Sequence, residues 1–275
     1  MLGKVMKHEW LDTGKIMLPL TLSQLGCGLL GIIVLNLVNF DDVYGSLISV
    51  GVFILYVMAC FALEVTATVY LCVRFYKSMF GSESYLTHTL PVSNMALYHG
   101  KLLVAAAWQL LNIILVYGTA FGMGFTLGIN VAESAGEPEI MNEVVQGVIE
   151  FMGLDSPLFV IGIVLFVIFS AFSGMISVYA CMAVGQLFEK HKVLASVVGY
   201  VILLLVEQVI STVSTMLVNV YQGEIYIDKE LAAGTYTFSH IYGPTMIVTL
   251  IESLVFTLIC YVVGLYICNK KLNIE

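Results

Sequence analysis

Six uninterrupted apolar runs set the limits on what this chain can become: 16–38, 47–72, 102–128, 158–187, 193–220 and 245–268, each 23 or more residues long. About 20 helical residues cross the hydrocarbon core of a bilayer, so every run is long enough to span one. Strands of a membrane β-barrel would be about 10 residues long with alternating polarity, and these runs do not alternate. The chain of 275 residues is 60% hydrophobic and only 11% charged, with a mean hydropathy of +0.98. A soluble core of this size could not hide so much apolar surface. The reading is an all-α polytopic membrane protein with six transmembrane helices, forming a single transmembrane domain over 1–275.

The loops fix an orientation. Lys4, Lys7 and Lys15 precede span 1, and Arg74, Lys77 and Lys101 lie between spans 2 and 3. Lys190 and Lys192 lie between spans 4 and 5, and Lys270 and Lys271 follow span 6. Ten of the 11 basic residues therefore share one side, with Lys229 alone on the other. Basic residues favour the cytoplasmic side, so both termini are expected there, an N-in/C-in topology. The outer loops, 129–157 and 221–243, are acidic. The first holds Glu133, Glu137, Glu139, Glu143, Glu150 and Asp155 without a Lys or Arg. Within it, 141–152 has the spacing of an external amphipathic helix, broken by Gly153 and Pro157. The net charge of −8 argues against a nucleic-acid partner, although charge placement matters more than the sum.

Residues 1–15 read as an N-terminal interfacial helix. Leu2, Val5, Met6 and Trp10 share a face, Lys4, Lys7, His8 and Asp12 occupy the others, and Trp10 suits an interface anchor. No cleavage signal follows, so span 1 is expected to stay in the membrane. The six cysteines fall in or beside apolar runs, without a C-x-x-C pair, and read as small buried hydrophobes.

No catalytic or metal-binding constellation emerges. The chain lacks a P-loop, H-E-x-x-H, G-x-S-x-G and a dinucleotide fingerprint, and its five histidines are scattered. It reads as a non-enzyme with no cofactor of its own. The polar residues that need explaining lie within spans: Glu64 in span 2, Glu207 in span 5 and Glu252 in span 6. An ionised carboxylate in hydrocarbon costs at least a few kcal/mol, so each must be protonated, hydrogen-bonded or facing a polar cavity. Span 5 is the most polar, with Gln208, Ser211, Thr212, Ser214, Thr215 and Asn219 beyond Glu207. Glu64, Glu207, Gln208, Ser211 and Glu252 are the candidates for a translocation path. The glycines Gly26, Gly28 and Gly31 of span 1, and Gly118, Gly122 and Gly124 of span 3, suit close helix packing.

Between spans 2 and 3 runs a polar segment, 73–101. Ser82 or Ser84 could cap a short helix with Tyr85, Leu86 and Leu90 on its apolar side. Pro91 ends that helix, and Ser93 or Asn94 can cap the helix leading into span 3.

The run RFYKSMFGSESYLTHTLPVS, Arg74 to Ser93, resembles the second cytoplasmic region of bacterial type-2 ABC transporter permeases, especially those of Firmicutes. Ser84 stands where that pattern has a glycine. The six spans, cytoplasmic termini and N-terminal interfacial helix match the same plan. The resemblance implies a multi-pass subunit in the bacterial cell membrane, paired with a second permease, identical or different. Two separate ATP-binding subunits would bind ATP and Mg. Residues Ser82, Glu83, Tyr85, Leu86, Thr87 and Leu90 would form the coupling helix seated in the ATPase. The resemblance also implies short broken helices outside the last two spans, with 221–243 and Gly243-Pro244 as the place for a re-entrant turn. The expected function is the permease subunit of an ABC exporter, moving a peptide, drug or lipid-like substrate. Its rivals are an ion- or proton-coupled transporter acting without an ATPase, and a membrane scaffold or immunity protein that binds a peptide.

Overall fold

A computed structural model of the chain describes residues 2–38, 43–81, 84, 93–134, 145–146, 157–188, 190–230 and 238–270. Among the described residues the chain forms six long helices: α1 (Leu2–Leu37), α2 (Val43–Met79), α3 (Asn94–Ser134), α4 (Pro157–Gly185), α5 (Lys192–Glu230) and α6 (Phe238–Lys270). Each is long and apolar enough to cross a membrane. In hydrocarbon no water can satisfy backbone N–H and C=O groups, and a helix satisfies them within one segment. The exposed side chains are correspondingly apolar, including Leu30, Leu55, Phe61, Phe121, Leu205 and Leu217.

Most of the helices outrun the apolar stretches that mark them. At about 1.5 Å per residue, α1 with its 36 residues is about 54 Å long and α3 with its 41 about 62 Å, against about 30 Å of hydrocarbon. α1 passes through residues 15 and 16 without a break, so the N-terminal segment and span 1 are one helix. Of the segment 221–243 and Gly243-Pro244 expected to host a re-entrant turn, Gly243 and Pro244 themselves are helical. α5 continues to Glu230, and α6 starts at Phe238 and runs on through Pro244. Pro244 sits in the second turn of α6, where it removes one i→i−4 bond without ending the helix. The region 231–237 lies outside the described residues, as does nearly all of the helix expected at 141–152.

Local chemistry explains several ends. α2 closes with the Phe80 and Gly81 N–H groups both reaching Tyr76 O, at 2.9 and 3.0 Å. A Cβ at Gly81 would sit 3.0 Å from the Lys77 backbone, so the turn favours glycine. Ser93 caps α3: the Ala96 N–H donates to Ser93 Oγ at 3.3 Å. Between α4 and α5 the chain tightens through i→i−3 bonds from Gln186, Leu187 and Phe188. His191 is left-handed there, at φ 57°. A Cβ at Gly185 would run into the Ser196 side chain and sit 2.8 Å from Lys192 O, leaving no room for a side chain.

The helices divide into two compact units. One gathers the described residues of Leu2–Arg74 and Leu103–Gly147, the other those of Phe75–Leu102 and Val148–Glu275.

In the first unit, α1 buries Thr13, Met17, Thr21, Gln24, Gly28, Gly31 and Leu35. Their spacing of three and four residues is the seam of a helix packed along its length. Gly28 admits the Thr119 side chain, Gly31 admits Met123, and a Cβ at Gly122 would come within 3.0 Å of Ile32 Cδ1. Gly26, Gly118 and Gly124 face nothing within 4 Å, so only half of the six candidate glycines serve close packing. A core of Leu35, Tyr56, Cys60 and Met123 closes this region. The Tyr56 hydroxyl donates to Val116 O at 2.8 Å and shares a bond with Thr119 Oγ1 at 2.6 Å. Near the start of α1, Trp10 stacks on Trp108 with ring centroids 4.5 Å apart. Trp108 Nε1–H donates to Thr13 Oγ1 at 3.0 Å. Arg74 binds Glu9 at 2.6 Å and Asp12 at 3.3 Å, and Lys15 binds Asp12 at 3.1 Å. Trp10, expected as an interface anchor, thus packs on α3.

In the second unit, Phe75, Tyr98 and Tyr179 are almost fully buried. Phe75 stacks on Tyr179 at 3.8 Å, and Tyr98 meets both rings edge-on. His99 Nδ1–H donates to Met95 O at 2.7 Å, because a carbonyl can only accept. Its Nε2 then accepts from the Tyr261 hydroxyl at 2.7 Å, which ties α3 to α6. α4 and α6 meet closely where Gly264 faces Ala180 Cα at a Cβ distance of 3.4 Å. Ser173 and Thr257 share a hydrogen bond of 2.6 Å across the same pair.

Candidate functional site

Within the second unit, α4, α5 and α6 line a partly open cavity of about 280 Å³. α5 contributes Leu204, Glu207, Gln208 and Ser211 to its wall. α6 contributes Thr249, Glu252, Ser253 and Phe256, and α4 contributes Phe166. The spacing on both long helices is i, i+3, i+4, i+7, which is one helical face. Each face carries a glutamate followed at once by a second polar side chain. Periodicity puts each carboxylate on the lining face of its helix, and the packing of α5 against α6 brings the two, 45 residues apart in sequence, to one cavity.

Hydrogen bonding around the cavity has a direction. Thr249 Oγ1 donates to Thr245 O at 3.0 Å, and Ser253 Oγ donates to Leu250 O at 3.0 Å. Gln208 Nε2 donates to Thr212 Oγ1 at 3.3 Å. In each case the hydrogen is held within the helix itself, and the oxygen lone pairs remain. Glu252 Oε2 is buried and has no hydrogen-bond partner among the described residues. The cavity is therefore rich in acceptors, and its wall contains no Lys or Arg.

Four of the five path candidates, Glu207, Gln208, Ser211 and Glu252, meet here. The fifth, Glu64, does not line this cavity and belongs to the other unit. There it accepts a hydrogen bond from Gln109 Nε2 of α3, with Asn112 as the second amide beside it. Glu64 Oε2, Gln109 Oε1, Asn112 Oδ1 and, on α1, Gln24 Nε2 are buried without a partner among the described residues. The sequence reading missed Gln24, Gln109 and Asn112. The signal was the one used for span 5, amides inside an apolar run, and Gln109 and Asn112 stand three residues apart on one helix face.

Of the coupling candidates, Ser82, Glu83, Tyr85, Leu86, Thr87 and Leu90 lie outside the described residues. Ser84, the alternative cap, is described: it is buried, and its N–H reaches Gly81 O at 2.9 Å. Among the described residues no group of three or more His, Cys, Asp or Glu side chains could hold a metal ion. The six cysteines are free thiols, four of them buried.

Comparison of the chain with family models, with curated proteins and with solved structures finds no match.

Proposed function

We propose that this chain is the transmembrane permease subunit of an ATP-driven exporter in a bacterial cell membrane, with both termini cytoplasmic. The observation that carries the transport reading is the cavity. Residues singled out in separate spans for their cost in hydrocarbon line one partly polar space, close to the lower end of ligand-pocket size. The ATP-driven part rests on the resemblance of Arg74–Ser93, and the orientation on the one-sided basic residues. In this reading two ATP-binding subunits and a second permease complete the transporter. Closure of the ATPase pair on ATP pushes on residues 82–90. The push passes to α2 and α3, the long helices that end and begin on either side of that segment.

The test follows labelling of Ser211→Cys by a water-soluble maleimide, counted above the six native cysteines, in membranes that also hold the ATPase subunits. Labelling is expected to change on nucleotide trapping, and the change to vanish in Tyr85→Ala/Leu86→Ala while ATP hydrolysis persists. An unchanged response in a normally expressed double variant would contradict the coupling role. A second reading, transport driven by an ion gradient, is favoured by Glu207 and Glu252 lining the same cavity. It predicts a labelling change driven by a proton or sodium gradient without nucleotide, and its loss in Glu207→Gln.

A further inference from the structure

We propose that the cavity walled by α4, α5 and α6 takes an organic cation, a protonated or quaternary amine on a compact apolar body. The proposal rests on the transport reading for its biological use, but not for the binding itself. Three features of the wall lead to it.

The first is charge. Glu207 and Glu252 both face this space, and spans 4, 5 and 6 contain no Lys or Arg to neutralise them. A carboxylate within the apolar part of a membrane is costly unless something offsets it, and a bound cation does so. The second is hydrogen-bond polarity. The Thr249 and Ser253 hydroxyl hydrogens and a Gln208 amide hydrogen are already donated within their own helices. Apart from the Ser211 hydroxyl and the second Gln208 amide hydrogen, what the wall offers a ligand is mainly acceptors, the Glu207 and Glu252 carboxylates above all, and the matching ligand is a donor or a cation. A neutral acceptor or an anion would find few hydrogens to accept.

The third feature sets size and character. Phe166, Phe256 and Leu204 supply apolar surface beside the carboxylates. Aromatic faces attract ammonium groups and accommodate the hydrocarbon attached to them. A bare metal ion needs a tight oxygen shell, at about 2.3–2.6 Å for calcium, and would leave most of a 280 Å³ space and its two rings unused. The volume instead approaches the lower end for small-molecule pockets, about 300 Å³.

The test measures equilibrium binding of phenylpropyltrimethylammonium and of its neutral isostere, in which the nitrogen is carbon, to the full chain in lipid nanodiscs. The wild-type chain is expected to bind the cation about tenfold or more tighter than the isostere. Glu207→Gln and Glu252→Gln should each bring that ratio down towards one, with affinity for the isostere retained. The ratio is taken within each protein, so a variant that has lost its fold loses both ligands and is told apart from one that has lost charge recognition. In that event Glu207→Asp, which keeps the charge and shortens the reach, must retain a preference for the cation. Equal binding of the two ligands by the wild-type chain, no binding of the cation, or a ratio unmoved by both Gln variants would overturn the proposal. No ATPase or nucleotide enters the assay. Cation binding with no ATP response would leave this inference standing and remove the ATP-driven reading, and an ATP response without cation preference would do the reverse.

Discussion

At the scale of the residue, the polar atoms and the glycines carry most of the meaning, because everything around them is interchangeable hydrocarbon. Gly28 has the Thr119 side chain lying where a Cβ would go, whereas Gly26, two residues away on the same helix, faces open space. Gly28→Leu should therefore lower stability by about 1–3 kcal/mol through overpacking, and Gly26→Leu should change little. Thermal unfolding of the two variants in the same detergent checks this, and equal effects would contradict the packing described. The sequence offered both glycines on equal terms, because spacing marks a stripe of small residues but not the phase at which a neighbouring helix meets it. The intramembrane glutamates were legible, since no other feature explains a carboxylate in an apolar run. Their partners were less so: Gln109 and Asn112 are milder departures from hydropathy, and what makes them matter is a contact from α2 to α3 that no local pattern records.

At the scale of the element, hydropathy and helix are different quantities. Apolar runs mark where hydrocarbon can be, while the backbone stays helical for as long as its hydrogen bonds continue. That is why six spans were readable and most of their ends were not. The start of α3 is the exception: it begins at Asn94, eight residues before its apolar run, at the Ser93 cap that the sequence offered. α1 absorbs the segment expected to lie along the interface, since Trp10 finds Trp108, and Glu9 and Asp12 find Arg74. Spin labels at Leu11 and Ile33, both exposed and on α1, should therefore give one distance of about 33 Å between backbone positions, from 22 residues of continuous helix. A clearly shorter distance by pulsed electron resonance would mean that α1 bends near residue 15. Pro244 carries the complementary lesson. A proline suggests a break, but Pro244 comes only seven residues into α6, close to its start, and α6 runs through it.

At the scale of the whole molecule, the chain joins two things that do not require each other: a set of helices long and apolar enough to span a membrane, with a cavity that holds two carboxylates, and a short segment between α2 and α3 that resembles the point at which an ATPase pushes on a permease. The first was legible from composition and from the cost of charge in hydrocarbon. The grouping of Glu207 with Glu252 was not, because it depends on α5 and α6 turning matching faces to one space. The second is carried by about 20 residues of resemblance, half of which lie outside the described residues. The central claim is that this chain works as the membrane half of an ATP-driven machine. Its most direct test is to purify the tagged chain from gently solubilised native membranes and identify what accompanies it by mass spectrometry. The account predicts a stoichiometric P-loop ATPase, lost when residues 82–90 are replaced while the chain remains in the membrane. A chain that purifies without an ATPase, under conditions that keep a known ABC transporter intact, would contradict it.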